Sequence, residues 1–159
     1  MANLFIKLTT EDWGYTCHGK REYDALISLV PYFRDRVLRV LVDMVARGHE
    51  PYCLWGKRSL GQQVKLVAKG VSSLRHSKHL AGKAADIVDY EDLSHGGSGW
   101  NTSECFWADL IMVAQRHDLY SGFAWKKYGR FGDSCHVEWQ TGRTVGLPPW
   151  LYCLASRPP

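Results

Sequence analysis

The stretch Ser77-Lys78-His79-Leu80-Ala81-Gly82-Lys83-Ala84-Ala85-Asp86 decides how this chain is read, and Asp133-Ser134-Cys135-His136-Val137-Glu138-Trp139 answers it from further along. His79 and Asp86 cannot share a helical face around one small ion, because seven positions of helix rise about 10 Å. A turn between them removes the difficulty, and Gly82 sits in the gap. After it, Ala84-Ala85-Asp86-Ile87-Val88 reads as a short buried strand, with small residues where another element can approach. In the second stretch the period of two puts His136 and Glu138 on one face and Cys135, Val137 and Trp139 on the other. His79, Asp86 and His136 are then the three donors that a hydrolytic zinc site wants, with a fourth position left for water. The expected cofactor is one Zn²⁺.

Upstream of this core the clearest helix opens at Pro31. Phe33, Val37, Leu38, Leu41, Val42 and Val45 recur at three- and four-residue intervals until Gly48, which leaves Arg34, Arg36 and Arg39 as a solvated face. Residues 22–30 read as a shorter helix before it. The run Tyr52-Cys53-Leu54-Trp55 is strand-like and hands over at Arg58 to a helix. Ser59 and Gln62 form a capping-box pattern for that helix, which carries Val64, Leu66 and Val67 and closes at Gly70. Downstream, residues 90–101 read as a long Ser/Gly/Asp-rich surface loop, a rim or lid. Asn101, Thr102 or Ser103 caps a helix that runs through Phe106, Leu110, Ile111 and Val113 to about His117, and residues 120–125 read as a strand.

Composition bounds the rest. At 159 residues, with 45% hydrophobic and 13% aromatic content, the chain is expected to be one domain over 1–159. That domain divides into a helical part over about 1–50, a zinc-site core over about 51–140 and an irregular carboxy-terminal tail. The net charge of +4 is spread along the chain rather than gathered in a basic run. This suits an anionic surface such as a bacterial wall and argues against a nucleic-acid binder. Five cysteines at wide spacings, with no C-x-x-C pair, indicate neither a disulfide framework nor a thiolate metal site. The amino terminus has no signal-peptide pattern and no long apolar run follows, so synthesis in the cytoplasm without stable membrane association is expected, as a monomer. Cys135 beside His136 invites a Cys/His nucleophile reading, but strand neighbours point to opposite faces, which favours a packed thiol.

With these residues on the page, the chain resembles the zinc peptidase family of bacterial D-alanyl-D-alanine carboxypeptidases and phage L-alanyl-D-glutamate endopeptidases, from about Trp55 to Trp139. The family pattern of Ser, one residue, His, two residues, Gly, one residue, Ala, one residue, Asp is met by Ser77, His79, Gly82, Ala84 and Asp86. Its upstream Arg-Ser-then-Gln signature is similar to Arg58-Ser59 with Gln62 or Gln63. Its closing pattern is met by Gly122, Trp125, Asp133, His136 and Glu138. The chain departs from the family at Cys135, where Pro is common, and in keeping Gly-Leu-x-Trp-Gly only in part.

The resemblance implies a small α+β fold, a mostly antiparallel sheet with helices packed on it and a zinc groove across it. It implies that Asp133 is the catalytic acid and base, that Arg58 holds the oxyanion or a substrate carboxylate, and that Glu138 orients a ligand imidazole. Ser77, Gln62 and Trp125 are carried along as supporting or substrate residues. The implied substrate is bacterial peptidoglycan, cut at the L-Ala–D-Glu bond of the stem peptide by a phage endolysin that reaches the wall after release. D-Ala-D-Ala carboxypeptidase is the alternative within the family. A non-catalytic zinc module, as in the related hedgehog signalling domain, is the alternative from another class; Asp133 and Arg58 argue against it.

Overall fold

The computed structural model describes residues 15–70, 72, 77–123, 125, 132–139, 146 and 148–155, with side chains described as far as 152 in the last segment. Among the described residues, six helices and four strands follow in the order α1 (Lys20–Ile27), α2 (Pro31–Ala46), β1 (Pro51–Trp55), α3 (Leu60–Ala68), β2 (Ala84–Asp89), α4 (Tyr90–Ser94), α5 (Glu104–Arg116), β3 (Leu119–Gly122), β4 (Asp133–Trp139) and α6 (Pro149–Ala155). A single 3-10 turn, Lys78–Ala81, precedes β2. The strands form one open antiparallel sheet in the order β1-β2-β4-β3. This is the small α+β architecture expected from the resemblance.

Alternation along the strands divides the sheet into two faces. Cys53, Ala85, Ile87 and Val137 meet Phe33, Val37 and Leu41 of α2 and Phe106, Leu110 and Val113 of α5 in the main core. Asp86 and Val88 belong to the opposite face of β2, where Val88 packs with Tyr52, Leu54 and Cys135. The functional side chains therefore stand on a sheet whose back is held by a packed core.

Local chemistry places the elements much as the sequence suggests. Pro31 occupies the first turn of α2, and Gly48 follows its end at φ 85°. Ser59 and Gln62 make the full reciprocal capping box on α3, and Ser103 caps α5 by accepting from the Phe106 N–H. Arg36 lies over the Trp139 ring, 4.7 Å from its centroid, so one cation of the expected solvated face covers an aromatic instead.

Two expectations are corrected. The segment 90–101 is not wholly a loop. It opens with α4, and Asp92 Oδ2 then accepts from the Gly99 and Asn101 N–H groups while Asp89 accepts from the Thr102 hydroxyl. Those bonds make it a tied rim that delivers Trp100 to the groove. The tail is not wholly irregular either, since α6 forms and buries Leu151 against Ala108 and Ile111 of α5. Along α3, Gln63 is buried, Leu66 and Val67 are half-buried, and Leu60 and Val64 are exposed.

A buried carboxyl group, Glu22, sits away from the groove. Glu22 is fully buried and accepts from the Tyr15 hydroxyl at 2.6 Å, from the Cys53 N–H at 2.9 Å and from the His18 N–H at 2.8 Å. Burial raises its pKa above the ordinary glutamate value despite these donors. A raised carboxyl pKa means the fold favours the protonated form. Its stabilising share is therefore complete below the unfolded pKa and is lost as pH rises through the folded one. Denaturant titrations of the parent and of Glu22→Gln should show the parent losing stability relative to the variant on going from pH 4 towards neutrality.

Candidate metal centre

His79 is presented by the 3-10 turn Lys78–Ala81, and the sequence around it explains the turn. Ser77 caps it, its Oγ accepting from the His79 N–H, and Gly82 ends it in the left-handed conformation at φ 66°. A Cβ at Gly82 would also stand 3.0 Å from the Ser28 carbonyl oxygen, a tight approach that adds to the strain of the left-handed backbone. Asp86 follows in β2 and pairs across the sheet with His136 of β4. Turn and register together bring the three side chains into one buried cluster.

The donor geometry is specific. His79 Nε2 lies 3.3 Å from His136 Nδ1 and 3.3 Å from Asp86 Oδ1, and His136 Nδ1 lies 3.1 Å from Asp86 Oδ1. A tetrahedral zinc with bonds of 2.0–2.1 Å requires ligand–ligand edges of about 3.3 Å. The other ring nitrogens fix which atoms face inward. His79 Nδ1–H donates to the Gly56 carbonyl at 2.7 Å, and His136 Nε2–H donates to Glu138 Oε2 at 3.2 Å. Two imidazole lone pairs and a carboxylate oxygen therefore converge on one point, an arrangement that needs a cation at its centre. The donor set fits a metal ion.

The electrostatics agree. Burial works against the charge of Asp86, but the imidazoles of His79 and His136 outweigh it and hold the carboxyl well below the usual carboxylate range. Burial likewise disfavours a charged His136, yet hydrogen bonds to Asp86 and Glu138 push its pKa up to about 9. Without a metal, a proton on Nδ1 fills the central gap; a metal ion competes for the same place and releases it. Burial opposes the charge of Glu138 too, and His136 with Lys78 overcomes it and lowers its pKa. Lys78 Nζ donates to Glu138 Oε1 and to the Trp139 carbonyl, both at 2.8 Å.

Arg58 lines the groove beside the cluster. One terminal nitrogen donates to Asp86 Oδ2 at 3.3 Å, the other to Gln63 Oε1 at 3.0 Å, and Gln63 Nε2 in turn donates to the Ser72 hydroxyl. The guanidinium thus grips the outer oxygen of Asp86 and leaves Oδ1 for the histidines. The sequence left Gln62 and Gln63 both open for the family's glutamine and carried Gln62 as the supporting residue; Gln62 closes the capping box of α3, and Gln63 is the one bonded to Arg58. Burial was the missing signal, because adjacent glutamines on a helix look alike until one of them is covered.

Asp133 and His136 are three apart, and on a regular strand they would face opposite sides of the sheet. The β3–β4 register jumps from Ser121↔Val137 to Gly122↔Asp133, so extra residues of β4 are looped into a bulge there. Asp133, Cys135 and His136 consequently line the same cavity, of about 820 Å³, above the donor cluster. The bulge also corrects the expected facing of Cys135, which leaves Val137 to pack with Val88 and lies with its Sγ 3.1 Å from Asp133 Oδ1. Burial, with Asp86 and Asp133, pushes the Cys135 thiol well above its ordinary pKa, which disfavours the thiolate. Gly122 permits the bulge: a Cβ there would sit 2.3 Å from the Asp133 carbonyl oxygen. Trp125 lies against the His136 ring, 4.8 Å between centroids, and Ser77, Gln62 and Trp100 complete the rim.

Because Glu138 holds the His136 ring through its outer nitrogen, Glu138→Ala is expected to weaken metal binding by about 10–100-fold. Glu138→Gln should fall between variant and parent, since its amide oxygen still accepts from Nε2. Competition with a chromogenic chelator reads both.

No protein-family model matches the chain, and no curated protein matches it. Eight chains of solved structures match. One is the L-Ala D-Glu endopeptidase ChiX of Serratia marcescens, with a TM-score of 0.57 at 22% sequence identity, over 81% of this chain and 93% of that one. The likeness is one of architecture, and the chain shares its fold with that endopeptidase.

Proposed function

We propose that this chain is a zinc-dependent peptidoglycan peptidase that hydrolyses the L-Ala–D-Glu bond of the stem peptide. The observation that carries the reading is the triangle of His79 Nε2, Asp86 Oδ1 and His136 Nδ1, 3.1–3.3 Å on each edge, opening onto a groove that Asp133 also lines. The fold shared with an L-Ala D-Glu endopeptidase supports the choice of bond. The endolysin setting rests on the sequence resemblance alone.

His79, Asp86 and His136 would hold the ion. When bound, zinc supplies a Lewis acid that acidifies water and polarises a carbonyl. The remaining work falls to the protein. Asp133 takes the proton from the attacking water and returns it to the departing amine. Gly56 and Glu138 hold the two imidazoles in the tautomers that present their free nitrogens inward, and Arg58 holds Asp86. Trp125 covers one side of His136 and limits solvent there. A purely structural site would need neither an opening to an 820 Å³ groove nor an acid on its wall.

Mass spectrometry of purified peptidoglycan digested with and without a chelator tests the reading. New amino-terminal D-Glu that disappears with chelator is the expected product. Released D-Ala would move the assignment to a carboxypeptidase, and unchanged peptidoglycan would refute hydrolysis.

A further inference from the structure

One wall of the groove carries charge that the hydrolytic scheme does not use. Lys65 and Lys69 are four residues apart at the carboxyl end of α3, so they share a helix face. Both line the cavity and both are exposed. Among the described residues neither ammonium has a carboxylate partner, whereas Lys78 is held by Glu138.

The carboxyl end of a helix favours cations, which accounts for basic residues there but not for the side they face. The side of α3 that lines the cavity carries Gln62 and Leu66 together with the two lysines, whereas the exposed Leu60 and Val64 are not among the lining residues. Like charges four apart on a helix repel each other, so the pair weakens α3 unless an anion lies between them.

Arg58 cannot easily be that groove's anion reader. Both its terminal nitrogens are engaged, by Gln63 and by Asp86. Among the described residues, the groove-lining cations without a carboxylate partner are therefore the two lysines.

We propose that Lys65 and Lys69 form a carboxylate-reading subsite, which selects stem peptides whose D-Glu α-carboxylate is free over those in which it is amidated. The inference rests on the peptidoglycan reading and adds to it a substrate class. Two flexible ammonium groups suit this task, since they act as point charges and do not demand the fixed planar geometry of a guanidinium clamp.

The test uses the zinc-loaded full chain and two stem tripeptides, L-Ala-γ-D-Glu-L-Lys with the D-Glu α-carboxylate free or amidated. Each carries a ketomethylene in place of the L-Ala–D-Glu amide, so neither can be cleaved during calorimetry. The parent should bind the free form roughly tenfold more tightly at low salt, a preference that shrinks in 0.5 M salt. Lys65→Gln/Lys69→Gln should bind both forms alike, with zinc stoichiometry and melting temperature as in the parent, and Lys65→Arg/Lys69→Arg should keep most of the preference. Equal binding of the two peptides by the parent, a preference kept in the glutamine variant, or no binding of either peptide overturns the subsite. The native-amide peptides separate the two ideas. Preference in binding without cleavage refutes the hydrolase and leaves the subsite, whereas cleavage of both forms at one kcat/KM refutes the subsite alone.

Discussion

Asp133→Asn is expected to lower stem-peptide hydrolysis by roughly 10²–10⁴-fold, the usual contribution of a positioned general acid and base. Zinc should bind to it as to the parent. Asp133 lies outside the donor triangle, and its contacts are the groove and the Cys135 thiol. The change keeps the shape of the side chain and removes its ability to take up a proton. Melting temperature and metal content should therefore match the parent while product formation collapses. A variant that released D-Glu-terminated peptide at the parent rate would exclude Asp133 as the proton carrier and leave no groove-lining carboxylate, apart from the ligand Asp86, to replace it among the described residues.

His79→Ala should show the opposite pattern, losing metal and activity together. Its Nε2 is one corner of the triangle, and its Nδ1–H satisfies the buried Gly56 carbonyl. Loss of a corner should weaken zinc by more than the roughly 10–100-fold expected when a residue behind a ligand is removed. The metal-free variant should also be destabilised by about 1–3 kcal/mol, because a buried acceptor loses its donor and Asp86 loses a neighbouring imidazole. Thermal melts with added zinc separate these effects. Saturation at 100 times the dissociation constant stabilises a folded chain by about 2.7 kcal/mol, so the parent's melting temperature should rise with zinc and that of the variant should not.

These two outcomes bear on parts of the molecule that were unequally legible. The metal cluster could be read from residue types and spacing, because a turn glycine between His79 and Asp86 and a histidine on a later strand are local features. The capping box of Ser59 and Gln62, the proline at the start of α2 and the helix from Ser103 could be read for the same reason: each depends on side chains within one turn of the backbone groups they satisfy. The inward-facing Gln63, the outward-facing Leu60 and Val64, and the helix α6 could not. Which face of a short helix is covered depends on what the fold lays against it, and nothing within the helix records that.

Asp133 shows the limit most sharply. Strict alternation along β4 would have set it on the far side of the sheet from His136, and the family likeness alone placed the two at one site. The bulge opposite Gly122 resolves this, and a bulge belongs to the pairing of two strands rather than to either one. Arg58 is similar. Its position between a strand and a helix marked it as functional, but its engagement by Asp86 and Gln63 was decided by atoms far apart in sequence. By itself the sequence determined the donor types, the turn that separates them and the α+β frame, since these follow from local periodicity and conformational preference. The tertiary structure alone decided which lone pairs converge, which cation stands beside Asp86 and which cations are left facing the groove, because each depends on distances between segments that only packing brings together.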